Sequence, residues 1–443
     1  MPDRIEPADI IEIALELPIS ARTDLGHAYA LVVARLCGQP VGMVLVDAAT
    51  AADADALAQA LDHELRELVI AQHEAHGLPK TITITQAGLG HADCPVRAAR
   101  ARAAGSGPPI SVLLCTRERP DDLRRCLESL LLLEYGDYEV IVVDNAPKTA
   151  RTKDVCEELS SPARSGGRAL HYLIEPRPGL SHARNRALAQ ARHEIVAFID
   201  DDERADAGWL SGLAEAFTRD PQLGAVSGLV LPAELETRAQ AQFEQFGGHS
   251  KGRGFCPAIF DAEYLRTVQS ALYPLPPFGV GANMAFRRTA ISAIGGFDPL
   301  LGAGTPLRGG EDTYAFSELL LAGWRMAYSP GAVTWHYHRR EAEALTSQLS
   351  GYGLGLGAYY VALLWRAPGR IFALIALLPR AVHDIRDPQS VRNASSGNAP
   401  GGPPGLPVPD IVRGALRYAR LRFIRALKGR RGHRARDELS QRS

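Results

Sequence analysis

Along the middle of the chain, short apolar runs end in polar residues and alternate with segments of helical periodicity. "ISVLLCT" (Ile110 to Thr116), "YEVIVVDNA" (Tyr138 to Ala146), "ALHYLIEP" and "EIVAFIDDD" are apolar without alternation. Between them lie the helix-like "RPDDLRRCLESLLLL", "TKDVCEEL" and "GLSHARNRALAQAR". Apolar strands separated by helices predict a mostly parallel sheet covered on both faces, an α/β unit. Ligands of such sheets sit beyond the carboxyl ends of the strands. Here those ends read Thr116-Arg117, Asp144-Asn145 and Asp200-Asp201-Asp202.

The flanks have other patterns. Residues 1–94 combine strand-like "AYALVVARLCGQPVGMVLVD", with a Gly-Gln-Pro turn inside it, and a helix from Ala51 to Gly77 with a leucine stripe. This reads as a small N-terminal α+β accessory domain. Residues 95–109 have the Gly/Pro/Ala/Arg composition of a linker, and the α/β unit is expected over 110–345. Residues 346–385 form a helical extension, with apolar runs split around Pro368-Gly369. The Pro/Gly/Ser/Asn-rich stretch 386–410 is expected to be disordered. Residues 411–443 carry eleven Arg/Lys against two acids, a basic amphipathic tail.

Composition sets broad limits. Hydrophobic residues at 46% and charged ones at 22% describe an ordinary globular protein, and a net charge of -1 argues against a dedicated nucleic-acid binder. The six cysteines show no zinc-binding spacing and read as buried free thiols in a reducing compartment. The acidic opening stretch lacks the character of an export signal, so a cytoplasmic location is expected. No uninterrupted apolar run reaches the ~18 residues that suggest a membrane span.

The aspartate triplet poses the chemical question. Adjacent like charges repel, and alternation along a strand puts Asp200 and Asp202 on one side and Asp201 on the other. Hard oxygen ligands of this kind suit Mg²⁺ or Mn²⁺. A polar loop whose acids cap the next helix is the other reading.

Five ordered segments resolve part of that choice: "SVLLCTRERPDDLRRCLESLL", "YEVIVVDNAP", "PGLSHARNRALAQARHEIVAFIDDDE", "GVGANMAFRRTAISAIGGFDPLL" and "RGGEDTYAFSELLLAGWRMAYSPGAVTWHYH". Over about Ile110 to Arg340 the chain resembles the family 2 glycosyltransferases, nucleotide-sugar-dependent enzymes of the GT-A fold. The resemblance implies that Thr116, Arg117, Glu118, Asp144, Arg184, Asn185, Asp200 and Asp201 bind the donor, with Arg184 presenting its fork to the diphosphate. It implies Asp202 as metal ligand, with Asp200 and His336 assisting and His338 on the same strand face. Asp312, preceded by Glu311, matches the family's catalytic base at a helix start, and helix capping is the ordinary explanation of such a pair. Asn283 and Arg287 fall on the acceptor-side strand, where packing is an equal alternative. The glycine-rich Leu300 to Gly310 has the composition of a loop that closes over substrate.

The implied reaction is inverting, metal-dependent transfer of one sugar from a UDP-, dTDP- or GDP-linked donor to an acceptor hydroxyl. Polymer synthases of the family carry a QxxRW-type motif that this chain lacks. The tail suggests an enzyme resting on an anionic inner membrane surface, near a lipid-linked or glycan acceptor. A non-catalytic sugar-nucleotide or membrane-binding scaffold, or a nucleotidyltransferase, are the rival readings.

Overall fold

The computed structural model describes residues 6–75, 77, 82–90, 94–165, 167–245, 247–250, 253–267, 278–372, 374–376, 379 and 408–440. Among them a central sheet holds β4 (Ile110–Thr116), β5 (Tyr138–Asn145), β6 (Leu170–Glu175), β7 (Ile195–Asp200), β8 (Glu203–Ala205), β9 (Leu223–Pro232), β10 (Ala258–Phe260), β11 (Asn283–Arg287) and β12 (Arg325–His336). A separate N-terminal sheet holds β1 (Asp9–Ala14), β2 (Tyr29–Leu36) and β3 (Gln39–Asp47).

The first half of the central sheet is parallel, in the order β7-β4-β5-β6. In its register Cys115 pairs with Asp200 and Thr116 with Asp144, so the three polar strand ends stand side by side on one edge. The second half is mixed. β11 runs antiparallel between β7 and β9, β12 pairs with β9 in parallel, and β8 and β10 lie antiparallel on β12. Both faces are buried, by Leu127, Trp209 and Leu213 on one side and by Ala187, Phe316 and Leu319 on the other. That double burial is why these strands are apolar throughout rather than alternating.

The N-terminal unit docks onto this sheet. Val33 belongs to the same apolar cluster as Phe198 and Trp335, and Arg35 donates from Nη2 to Asp206 at 2.6 Å. Its hairpin turns at Cys37-Gly38, both with positive φ, rather than at Gly-Gln-Pro; Gln39 and Pro40 already belong to β3. Such a two-residue loop has the twist that matches its strands.

Two expectations are corrected here. Residues 95–109 are not a linker, because Pro95–Ser106 is a helix whose Arg100 donates to the Gly208 carbonyl at 3.0 Å. Alanine and arginine favour helix, and the Pro and Gly residues that suggested a linker stand only at its two ends. Nor are all six cysteines free: Cys37 and Cys94 form a disulfide, while Cys115, Cys126 and Cys156 are buried thiols and Cys256 is exposed. The partners lie 57 residues apart, a separation from which no pairing can be read. The inference of a reducing compartment, which rested on unpaired thiols, falls with it.

At the other end, a helix over Ala342–Arg366 stops before a short 3-10 turn at Pro368–Arg370. Residues 386–407 of the stretch expected to be disordered lie outside the described residues. The C-terminal helix, Val408–Ser440, lies along the Ala342–Arg366 helix through Leu354, Gly357, Ile411 and Gly414. Tyr418 anchors it by donating to Asp298 at 2.7 Å. Its outward face leaves Val412, Leu416, Phe423 and Leu427 exposed. No helix among the described residues is long and apolar enough to cross a membrane.

A Cβ on Gly357 would stand 1.8 Å from the Ile411 carbonyl oxygen, so the two helices touch by their backbones. Gly357→Leu is therefore expected to release the C-terminal helix and accelerate tryptic cleavage at Arg413 and Arg417; an unchanged digestion pattern would contradict this packing.

Candidate active site

The edge where the strands end opens into a cavity of about 590 Å³. Asp200 and Asp202, at and just past the end of β7, line one side of it. Glu311 and Asp312, the first residues of the helix Glu311–Leu321, line the other. A second lobe of about 400 Å³ reaches Thr116, Arg117 and Asn145 and shares Arg119, Asp200, Asp202 and Arg339 with the first. The two acidic clusters thus converge on one cleft.

Arg184 joins them. It projects from the helix Leu180–Gln190 and is almost fully buried. Its Nη1 donates to Glu311 Oε1 at 2.9 Å, and its Nη2 donates to Asp200 Oδ1 and to the Gly281 carbonyl, each at 3.0 Å. The expectation that this fork addresses the diphosphate is corrected: three of its five N–H hydrogens are directed at Glu311, Asp200 and Gly281, which ties the fork to protein. Burial would raise the pKa of both carboxyls, and Arg184 opposes it. The balance still leaves Asp200 raised and Glu311 pushed up to about 7, with Asp312 beside Glu311 adding to the shift. Gly281 fits here because a Cβ would stand 3.0 Å from Arg184 Nη2 and 3.2 Å from Asp312 Oδ2.

Asp312 is half-buried and fixed by backbone. Its Oδ2 accepts from the Gly281 N–H and its Oδ1 from the Thr313 N–H, both at 2.7 Å. It faces the cavity without an arginine partner among the described contacts, whereas Glu311 is committed to Arg184.

The triplet is divided. β7 ends at Asp200, and Asp201-Asp202 form a turn, so strand alternation does not continue through them. Asp201 accepts from Thr116 Oγ1 at 2.7 Å and from Arg119 at 3.0 Å. Burial, with Asp202 adjacent, pushes Asp201 up to about 7. Asp202 Oδ2 accepts from Arg119 and Arg339, each at 3.0 Å, while Oδ1 lies 3.6 Å from His336 Nε2. Burial works against the Asp202 carboxylate, but the Arg119 and Arg339 guanidinium groups hold its pKa low. Burial likewise drives His336 down to about 3, leaving a neutral ring able to offer a lone pair. Carboxylate oxygens and a neutral imidazole around one cavity form a donor set that fits Mg²⁺ or Mn²⁺.

Other expected residues lie elsewhere. Glu118 lines neither lobe and holds the next loop, accepting from the Lys148 and Thr149 N–H groups. Asn185 pairs with the Phe297 backbone through both ends of its amide and lines neither lobe. Asn283 is buried, donating to the Leu229 and Ala332 carbonyls and accepting from Trp209 Nε1, so it ties strands rather than meeting an acceptor. Arg287 pairs with Glu194 and lies over the Phe217 ring, also away from the cleft. Asp144 is buried beside Tyr172, and its neighbour Asn145 is the residue that reaches the smaller lobe. In each case a polar residue satisfies backbone or buried groups, which sequence alone does not distinguish from ligand contact.

Sequence reading missed Arg119, Arg339, His249 and Tyr352, all of which line the larger cavity. The first two carried a signal, since each lies within three residues of a predicted site residue. His249, whose ring meets His336 at 4.3 Å, and Tyr352 stand in stretches without one.

Residues 111–295 match the family model described as Glycosyl transferase family 2. Among curated proteins, the chain is 28% identical over 197 residues to a glucosyl-dolichyl phosphate glucuronosyltransferase of Haloferax volcanii, covering 43% of this chain and 56% of that protein. It is 28% identical to a pre-mycofactocin glycosyltransferase of Mycobacterium tuberculosis, covering 56% of this chain and 47% of that one. A succinoglycan biosynthesis protein ExoM of Rhizobium meliloti is 31% identical, with 50% and 65% covered. The chain spans about half the length of the first two.

Replacing Arg184 by methionine leaves the buried Glu311 and the partly exposed Asp200 without their shared cation. Arg184→Met is expected to destabilise the fold by about 3–5 kcal/mol in denaturant unfolding; a loss under about 1 kcal/mol, the scale of an exposed ion pair, would contradict its role as the tie.

Proposed function

We propose that this chain, whose residues 111–295 match the glycosyl transferase family 2 model, transfers a single sugar from a nucleoside diphosphate donor to an acceptor hydroxyl with inversion. The observation that carries the reading is the placement of Asp202 and Asp312 in one cavity, with their neighbours Asp200 and Glu311 joined by Arg184.

The smaller lobe, with Thr116, Arg117 and Asn145, takes the nucleoside. Arg119 and Arg339, where the two lobes meet, attract the diphosphate and release Asp202 as they do so. Asp202, Asp200 and His336 would hold Mg²⁺ or Mn²⁺, which when bound offsets the negative charge growing on the departing diphosphate. Asp312 removes the acceptor proton as its oxygen attacks the sugar from the opposite face. Its backbone hydrogen bonds keep the carboxylate aimed during the single displacement. Glu311 positions the helix start through Arg184 rather than meeting substrate.

The acceptor is a lipid-linked or glycan hydroxyl, a reading supported by the relatives' names. An anionic membrane surface is the partner of the C-terminal helix, because exposed Leu416, Phe423 and Leu427 alternate with exposed Arg413, Arg417, Arg420 and Arg425. On this reading the enzyme works at the inner face of a membrane.

Against a panel of UDP-, dTDP- and GDP-sugars with Mn²⁺, one donor is expected to release nucleoside diphosphate. Asp312→Asn should lower that rate by about 10²-fold or more while donor binding persists. Asp202→Asn should lose the Mn²⁺-dependent part of donor binding. No release from any donor in the presence of acceptor candidates would favour a non-catalytic scaffold. Leu416→Glu combined with Phe423→Glu is expected to reduce sedimentation with phosphatidylglycerol vesicles; equal sedimentation of variant and wild type would remove the membrane reading.

A further inference from the structure

Behind His336 stands a chain of hydrogen bonds that leads away from the cleft. His336 Nδ1 lies 2.6 Å from His338 Nδ1, and His338 Nε2 lies 2.7 Å from Glu244 Oε1. The residues come from two elements: His336 ends β12 and His338 follows two residues on, while Glu244 belongs to the helix Arg238–Gln245. The set is packed in place. The Phe243 ring meets His338 edge-on at 4.7 Å, and Gln240 donates to the His338 carbonyl at 3.3 Å.

The chemistry of this chain has a direction. A carboxylate only accepts, so the Glu244 contact requires a proton on His338 Nε2. In a neutral ring the remaining nitrogen, Nδ1, is then an acceptor. The short contact to His336 Nδ1 accordingly requires the proton to sit on His336, which leaves His336 Nε2 as a bare lone pair. That nitrogen faces Asp202 Oδ1 across 3.6 Å, too far for a hydrogen bond and with an acceptor on each side of the gap.

We propose that Glu244 and His338 are positioning residues that fix the tautomer of His336, so that Nε2 presents its lone pair beside Asp202 to a divalent cation. The inference rests on the reading of Asp202 and His336 as cation ligands and extends it to Glu244 and His338, which that reading leaves without a role. Carboxylate–histidine pairs of this kind set ring orientation and basicity at metal sites generally.

A different arrangement of the same side chains is a metal held by His249, His336 and His338 together, whose ring nitrogens lie within 4.8 Å of one another. The 2.6 Å between the two Nδ1 atoms argues against it. Bonds of roughly 2.0–2.1 Å in tetrahedral geometry separate ligand nitrogens by about 3.3 Å. The contact has the length of a hydrogen bond, and His338 Nε2 is already engaged by Glu244.

The test uses the full chain with isotopically labelled histidine. In the metal-free wild type, nitrogen NMR shifts are expected to report His336 as the Nδ1–H tautomer and His338 as the Nε2–H tautomer. Glu244→Leu should move His336 toward Nε2–H and weaken Mn²⁺ binding, titrated with the metal alone, by about 10- to 100-fold. Glu244→Gln, whose amide oxygen can still accept, should restore most of both. A wild-type His336 carrying its proton on Nε2 overturns the proposal without any variant. So does a Glu244→Leu protein with wild-type tautomers and wild-type Mn²⁺ affinity. A wild type with the expected tautomers that binds no Mn²⁺ overturns the cation role proposed here, and with it the metal dependence of the proposed function; the wrong tautomer beside normal Mn²⁺ binding overturns the relay alone.

Discussion

One buried guanidinium holds the cleft together. Arg184 binds Asp200 at the end of β7, Glu311 at the start of a helix and the backbone of Gly281, three segments brought together from distant parts of the chain. Without that cation the two acidic clusters would repel across a poorly solvated space. With it, Glu311 and Asp200 absorb the positive charge, and Asp202 and Asp312 remain on the cavity wall for other work. Within each cluster one acid is tied to Arg184, while its neighbour lines the cavity without that contact.

The rest of the architecture supplies that tie with fixed ends. The parallel strands align their carboxyl ends by register, so the triplet and Thr116 meet without a long loop. At Gly281 a Cβ would stand 3.0 Å from Arg184 Nη2, so a side chain there would crowd the guanidinium. The N-terminal unit contacts the segment just beyond the triplet through Arg35 and Asp206, and the Ala342–Arg366 helix forms a wall of the cavity with Gln348, Gly351 and Tyr352. Accessory regions therefore bear on the cleft rather than hang from it.

Much of this was legible in the sequence because strand ends and helix starts are marked locally. Apolar runs stopping at Asp144 and Asp200, and a Gly-Gly before Glu311-Asp312, announce where chemistry can sit. What was not legible shares one physical character, the identity of a polar residue's partner. Asn185, Asn283 and Arg287 resemble ligand-binding residues in type and spacing, yet each satisfies backbone or an ion pair elsewhere. The Cys37–Cys94 pair and the Glu244–His338 contact are long-range in the same way. The 95–106 helix was a different error, in which Pro and Gly at the two boundaries outweighed good helix formers between them.

The central claim is that the two acidic clusters enclose one space built for a cation and a diphosphate. Crystals of the protein soaked with Mn²⁺ and a nucleoside diphosphate would test it most directly by anomalous scattering at the manganese edge. The account predicts one peak in contact with Asp202 and His336, with phosphate density beside Arg119 and Arg339. A manganese peak away from those residues, or nucleotide bound outside the cleft, would contradict it.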